Sequence, residues 1–219
     1  MPEELTREIL QLRAAVTAMG QAAEARVHTA VEAWLAWDAD LAASIRAADD
    51  EVDRMDVDIE ERCMHILACH QPVASDLRTV MTALRMITSL ERTADLARSI
   101  AKRVIKLHAT DHQTDPPQCI TDMGETVAAM LADAMKAFEK GDIELARTVR
   151  RRDAVVDRLN REIFAWAVKA TERDPARTKG YFGTIVMARA LERIGDMAAN
   201  IAEDTIFATG GSVVRHAPI

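Results

Sequence analysis

Leu90-Glu91-Arg92-Thr93-Ala94-Asp95 returns about 101 positions later as Leu191-Glu192-Arg193-Ile194-Gly195-Asp196. The match extends outward, with Ala97 on Ala198 and Ile100-Ala101 on Ile201-Ala202. A second block, offset by about 104, lays Met19-Gly20 on Met123-Gly124, Asp38 on Asp142, Leu41-Ala42 on Leu145-Ala146, Arg46 on Arg150 and Asp53-Arg54 on Asp157-Arg158. In that block 13 of 36 ungapped positions are identical, against about 3 expected by chance in so alanine-rich a chain. The parts run in the same order in both halves, so the chain is an internal duplication, and the change of offset is a length difference in one loop.

The repeated unit is helical. Val27, Val31, Trp34 and Leu35, or Val80, Leu84, Ile87 and Leu90, recur three and four apart, the spacing of a helix with one buried stripe. Composition agrees: 29% charged, 4% aromatic, and only 8 glycines and 6 prolines in 219 residues suit long amphipathic helices better than sheets. A 49% hydrophobic fraction supplies a sizeable core. The expected fold is all-α, two tandem three-helix bundles, with helices near 4–36, 39–69 and 73–108, then 117–139, 142–171 and 177–208. Asp38 and Asp142 offer helix N-caps, Pro72 and Pro175 mark hairpin turns, and Pro116-Pro117 interrupts the linker between halves. These breaks divide the chain into a first repeat at 1–110, a second at 117–209 and a flexible tail at 210–219.

A net charge of -7 and a single compact basic run, Arg150-Arg151-Arg152, set among acids, speak against nucleic-acid binding. The acidic start, Met1-Pro2-Glu3-Glu4, is unlike a signal peptide, and no apolar run approaches the ~20 residues that cross a bilayer. A cytoplasmic protein without direct membrane insertion is expected, touching a membrane through partners. Cys63, Cys69 and Cys119 are odd in number and lack C-x-x-C spacing, so reduced thiols are expected rather than disulfides or a thiolate zinc site.

The informative polar residues are acids. Asp49 and Asp53, Glu91 and Asp95, Asp153 and Asp157, and Glu192 and Asp196 are each spaced i,i+4, which puts both carboxylates of a pair on one helix face. One such pair reads as a solvated face, because acids are normally exposed. The register between pairs says more. In an antiparallel hairpin, residues equidistant from the turn share a level. The midpoint of 53 and 91, and of 49 and 95, is 72, at Pro72; 157 with 192, and 153 with 196, average 174.5, beside Pro175. Four carboxylates are therefore expected at one level of each bundle, where they repel unless a cation neutralises them. Arg54, Arg92, Arg158 and Arg193 are neighbours in sequence but point about 100° away round the helix, which leaves a metal as the better candidate. An all-oxygen set suits Mg, Mn or Fe, and the absence of Glu-x-x-His from these positions argues against oxygen chemistry. Asn200, one turn beyond Asp196, can add a carbonyl oxygen where the first half has Ser99. Gly195 in a helix interior signals a close approach, either of a ligand or of another helix.

These stretches, with Gln71-Pro72-Val73-Ala74-Ser75-Asp76-Leu77-Arg78 and Met197-Ala198-Ala199-Asn200-Ile201-Ala202-Glu203, resemble the PhoU family of bacterial phosphate-uptake regulators over nearly the whole chain. The resemblance implies a negative regulator of the phosphate-starvation response, linking a high-affinity phosphate ABC transporter to a sensor histidine kinase at the inner face of the membrane. It also implies a homodimer, and multinuclear metal sites at E(D)-x-x-x-D motifs. The eight acids match those motifs, with divalent or ferric ions (Fe, Mn, Mg or Zn) as the cofactors and the identity open. Thr93-Ala94 in place of Ile-Gly, and Ser99 in place of Asn, are departures in the first repeat.

Asp76 and Arg78 match the family's D-L-R and are candidates for partner contact, against the simpler reading of a helix cap and a surface arginine. His65 and His70 fall near the hairpin tip, far from the acids, and are assigned packing or surface roles rather than metal ligation. No catalytic residue is expected. A metal-dependent phosphohydrolase is the enzymatic alternative, but the sequence holds no glycine-rich phosphate loop and no Arg or Lys among the eight acidic positions. A metal-free structural adaptor is the third reading.

Overall fold

The computed structural model describes residues 3–47 and 49–211, and of residues 46, 47, 49 and 50 the backbone alone. The elements are α1 (Glu3–Ala36), α2 (Ala39–Ala47), α3 (Asp49–His70), α4 (Ala74–Ala109), α5 (Gln118–Lys140), α6 (Ile143–Arg173), a 3₁₀ turn (Pro175–Arg177) and α7 (Thr178–Gly210), with no strand among the described residues. The first bundle is α1, α2–α3 and α4; the second is α5, α6 and α7. The helix expected over 39–69 is described as α2 and α3, either side of residue 48. Of the tail, Gly210 ends α7 and Gly211 follows it at φ 71; residues 212–219 lie outside the described residues.

The duplication is visible in the chain reversals. α5 closes through Gly141 at φ 65, with the Gly141 N–H donating to Phe138 O (3.3 Å) and the Asp142 N–H to Ala137 O (2.9 Å), the paired bonds that end a helix through a left-handed residue. The equivalent residue of the first half is Trp37, at φ 50, with the same pair of bonds to Trp34 O (3.2 Å) and, from Asp38, to Ala33 O (2.9 Å). Asp38 and Asp142 then accept from the Leu41 and Leu145 N–H groups at 2.9 and 3.0 Å, the N-caps expected. A positive φ costs a tryptophan more than a glycine. Its indole N–H donates to Thr114 O at 2.9 Å, so the strained residue also fastens the linker between halves.

The halves meet through α1 against α5 and α4 against α7. A Cβ on Gly20 would stand 2.4 Å from Met135 Cε, and one on Gly124 2.6 Å from Val31 Cγ1. Glycines 20 and 124, and residues 31 and 135, are equivalents at the same offset of 104, so the contact is reciprocal, as at a two-fold axis. Buried side chains of both halves form one continuous core. The linker lies on it: Thr114 is buried, its Oγ1 is 3.3 Å from Thr184 Oγ1, and a Cβ at Gly180 would stand 2.3 Å from His112 O. No described helix is long and apolar enough to cross a membrane.

Candidate metal centre

α6 and α7 carry the second acid set. The α6–α7 reversal at residues 174–177 sits where the midpoints fall, and the carboxylates of the two helices are near enough to perturb one another. Partial burial, then Asp196, Asp157, Glu192 and Glu203, push the Asp153 carboxyl up to about 6. Glu192 is raised by burial, Asp196 and Asp157, against Arg189 and Arg193, which pull it down. Asp196 is raised by burial and by Asp157, again eased by Arg193. Every member of the expected quartet thus bears on another member across the hairpin. Charged together in a groove where Asp153 and Glu192 are partly buried and Asp157 and Asp196 exposed, they raise the energy of the fold.

In the first bundle α3 and α4 turn at residues 71–73, and Glu91 is raised by burial, then by Asp95, Asp56 and Asp53, and eased by Arg92. Asp53, Glu91 and Asp95 are brought together as the register requires. The side chain of Asp49 lies outside the described residues; its backbone opens α3. Asp56 is a participant the sequence reading missed. It is raised by burial, Glu60 and Asp53, and its duplicate position holds Asn160. The i,i+3 spacing of Asp53 and Asp56 was the available signal, since it shares a helix face as readily as i,i+4.

The arginines do more than expected. Arg92 and Arg193 do ease the acids beside them, and Arg98 forms an ion pair with Asp95 one turn along α4. The position equivalent to Arg98 is Ala199, so this neutralising group is present in the first bundle alone. In the second, Arg150 pairs with Glu203 at 3.0 Å, both largely shielded, and Arg189 and Arg193 relieve the acids of α7 only in part.

Gly195 has a packing explanation. A Cβ there would stand 3.3 Å from Val156 Cγ1, so the glycine lets α7 lie close on α6 beside the acids. Asn200 lines a cleft between α4 and α7 with Ser89, Arg92 and Glu203. Asp76 is in the first turn of α4, three residues beyond the N-cap Val73, where an acid complements the helix dipole without capping through its side chain. Arg78 is half-buried and its Nε reaches Ala208 O at 3.5 Å, so it meets the C-terminal end of α7 where a cation is favoured. Cys63, Cys69 and Cys119 are free thiols. His65 and His70 come together with Glu8 of α1, a residue the sequence reading left unused.

Two bundles joined through a reciprocal contact, each with a groove of facing carboxylates, define a class of duplicated helical proteins with paired acidic grooves. The PhoU domain model matches residues 16–104 and 120–205, and the chain belongs to the PhoU family. Similar curated proteins include the phosphate-specific transport system accessory protein PhoU homologs of Pseudomonas putida, 34% identical over 98% of this chain and 84% of that one, and of Pseudomonas aeruginosa, 35% identical over 98% and 88%. The Escherichia coli accessory protein PhoU is 32% identical over 97% and 88%. The crystal structure of PhoU from Pseudomonas aeruginosa superposes with a TM-score of 0.90 at 34% identity, covering 94% of this chain and 99% of the other. That of the phosphate transport system regulatory protein PhoU from Streptococcus pneumoniae gives 0.85 at 25% identity, covering 96% and 99%.

Proposed function

We propose that this chain is an accessory regulator of phosphate transport: a non-enzymatic cytoplasmic adaptor, homodimeric in solution, that represses phosphate-starvation signalling by joining a phosphate ABC transporter to a sensor histidine kinase. Family membership and the names of its relatives support the transport setting. The metal part of the proposal rests on one observation, the facing carboxylates of α6 and α7, where burial and then the neighbouring acids push Asp153 up to about 6. The donors are all oxygen, with Asp153 and Glu192 partly buried and Asp157 and Asp196 exposed, and an all-oxygen set fits a hard or borderline cation. Asp153, Asp157, Glu192 and Asp196 would hold it, with Asn200 a further oxygen donor; in the first bundle Asp53, Glu91 and Asp95 would do so, with Asp49 on the adjoining turn. A bound cation would remove the repulsion and bind the two helices of each hairpin together.

Partner contact is assigned to the start of α4. Leu77 and Met81, exposed at 40% and 38%, share a face of α4 at i,i+4, and Val73, 74% exposed, precedes them as the extended N-cap, in the same stretch as Asp76 and Arg78. An exposed apolar row flanked by charge is the composition of a docking surface.

Elemental mass spectrometry of protein purified without chelator tests the metal. At least about one ion per chain is expected, falling in Glu192→Ala/Asp196→Ala; no metal in either protein would sink this part of the reading. For the regulatory role, a deletion strain carrying a phosphate-starvation reporter should return to repression with the wild-type gene. Repression restored equally by Asp76→Lys/Leu77→Glu would overturn the docking assignment.

A further inference from the structure

We propose a second, chemically different metal site at the opposite end of the first bundle: a zinc-type centre formed by Glu8 of α1 with His65 and His70 of α3. One ligand atom from each lies within 4.8 Å of the others. His70 Nε2 is 3.2 Å from Glu8 Oε2, and His65 Nε2 is 3.7 Å from Glu8 Oε1. Zinc bonds of about 2.0–2.1 Å at a tetrahedral angle set neighbouring donors roughly 3.3 Å apart; the two distances, one to each oxygen of the carboxylate, lie near that spacing, and small side-chain rotations would bring one oxygen to both nitrogens.

An ordinary histidine–carboxylate ion pair accounts for less of this arrangement. Glu8 Oε2 is sealed from solvent and, although His70 Nε2 stands 3.2 Å away, it accepts no hydrogen bond of good geometry among the described residues, a costly state for a carboxylate oxygen. The 3.7 Å gap at His65 is beyond a hydrogen bond. The two imidazoles stand edge to face with centroids 6.3 Å apart, both beside the one carboxylate. A single divalent ion between the three side chains satisfies the sealed oxygen and both ring nitrogens together.

The surroundings also suit a metal. The other nitrogen of His65, Nδ1, meets Cys69 Sγ at 3.7 Å, a weak contact one turn along α3 that turns Nε2 toward Glu8; such outer partners orient histidine ligands. Three protein donors leave one position open, as in zinc sites that take water or an exchangeable ligand. Beside it lies a cleft of about 390 Å³ shared by Glu8 and His65 and walled by Gln11, Asp58, Glu61 and Arg62. Two nitrogens and one oxygen favour a borderline ion such as Zn²⁺, whereas the carboxylate grooves offer oxygen alone. From Asp53 to His70 the separation along α3 is about 25 Å at a rise of 1.5 Å per residue, so the two kinds of site bind independently. The site therefore stands whether or not the carboxylate grooves are occupied.

The full-length protein, stripped with chelator, would be titrated with Co²⁺ and followed by its visible spectrum, and with Zn²⁺ against a chromogenic competitor. One equivalent of Co²⁺ is expected to give the intense bands of a four-coordinate ion. His65→Ala, on a side chain 60% exposed and so harmless to the fold, should abolish those bands and weaken Zn²⁺ binding at least about 100-fold; so should Glu8→Gln, which keeps the side-chain shape. Asp153→Asn/Asp196→Asn should retain bands and affinity. Wild-type protein lacking the bands, wild-type Zn²⁺ affinity in either first-bundle variant, or loss of the bands in the acid-groove variant would each overturn the assignment.

Discussion

At the scale of single residues, the close approaches of glycine set a graded series. Gly124 faces Val31 Cγ1 at 2.6 Å from the place of a Cβ, and a β-branched side chain on a helix has one good rotamer and cannot step aside. Gly124→Ala is therefore expected to cost about 1–3 kcal/mol in urea unfolding, the cost of overpacking a core. Gly20→Ala should cost less, because its neighbour Met135 has three rotatable bonds. Gly195→Ala meets Val156 at 3.3 Å, and the better helix propensity of alanine offsets the squeeze, so its stability should stay within about 1 kcal/mol of wild type. A drop of several kcal/mol at Gly195, or none at Gly124, would contradict this packing. Asp204, 2% exposed and 3.4 Å from Arg85, belongs to the same scale: Arg85 is 38% exposed and also lies over the Phe207 ring, so Asp204→Ala should cost about 1–2 kcal/mol.

Among elements, the α6–α7 hairpin ties stability to pH and to metal. Asp153 sits near 6 in the folded chain against an ordinary 3.8. Between those values the folded protein holds a proton that the unfolded chain has released. Stability of the metal-free protein therefore falls as pH rises through that window, and the full penalty stands above it. Chelator-treated protein should melt a few degrees higher near pH 5 than near pH 7, and Asp153→Asn should flatten the difference. Adding back the cation near pH 7 should raise the melting temperature of wild type more than that of Glu192→Ala/Asp196→Ala, which keeps only the first-bundle acids. The level at which these acids meet was legible beforehand, because helical rise is uniform and Pro72 and Pro175 fix the turns. Helix boundaries followed from caps and period to within three residues. Asp56 carried only an ambiguous spacing signal, and Arg98 was not legible. Both act at i,i+3, and whether such a neighbour leans into the groove depends on rotamers and on the facing helix. Glu8 was further out of reach, since nothing in the α1 pattern says which α3 residues it meets.

On the scale of the molecule, the break between halves is clear in sequence and absent from the packing. The linker is fixed by Trp37 and Thr184, and the core runs through both bundles. Each half expressed alone exposes its α1 or α5 and its α4 or α7 face, so separate halves are expected to aggregate or unfold, whereas the two co-expressed should purify as a complex. Two independently stable, monomeric halves would show the shared core to be dispensable. The reciprocal glycine contact is what a symmetric pair of identical subunits would use, yet here one gene encodes both partners in succession. In a pair of identical subunits every substitution is made twice. In this chain Arg98 can settle beside Asp95 while its counterpart stays Ala199, and Ser99 can stand where the other half has Asn200. Fusion has therefore given selection separate handles on two grooves that began as one, and a change of affinity in either need not be inherited by its twin.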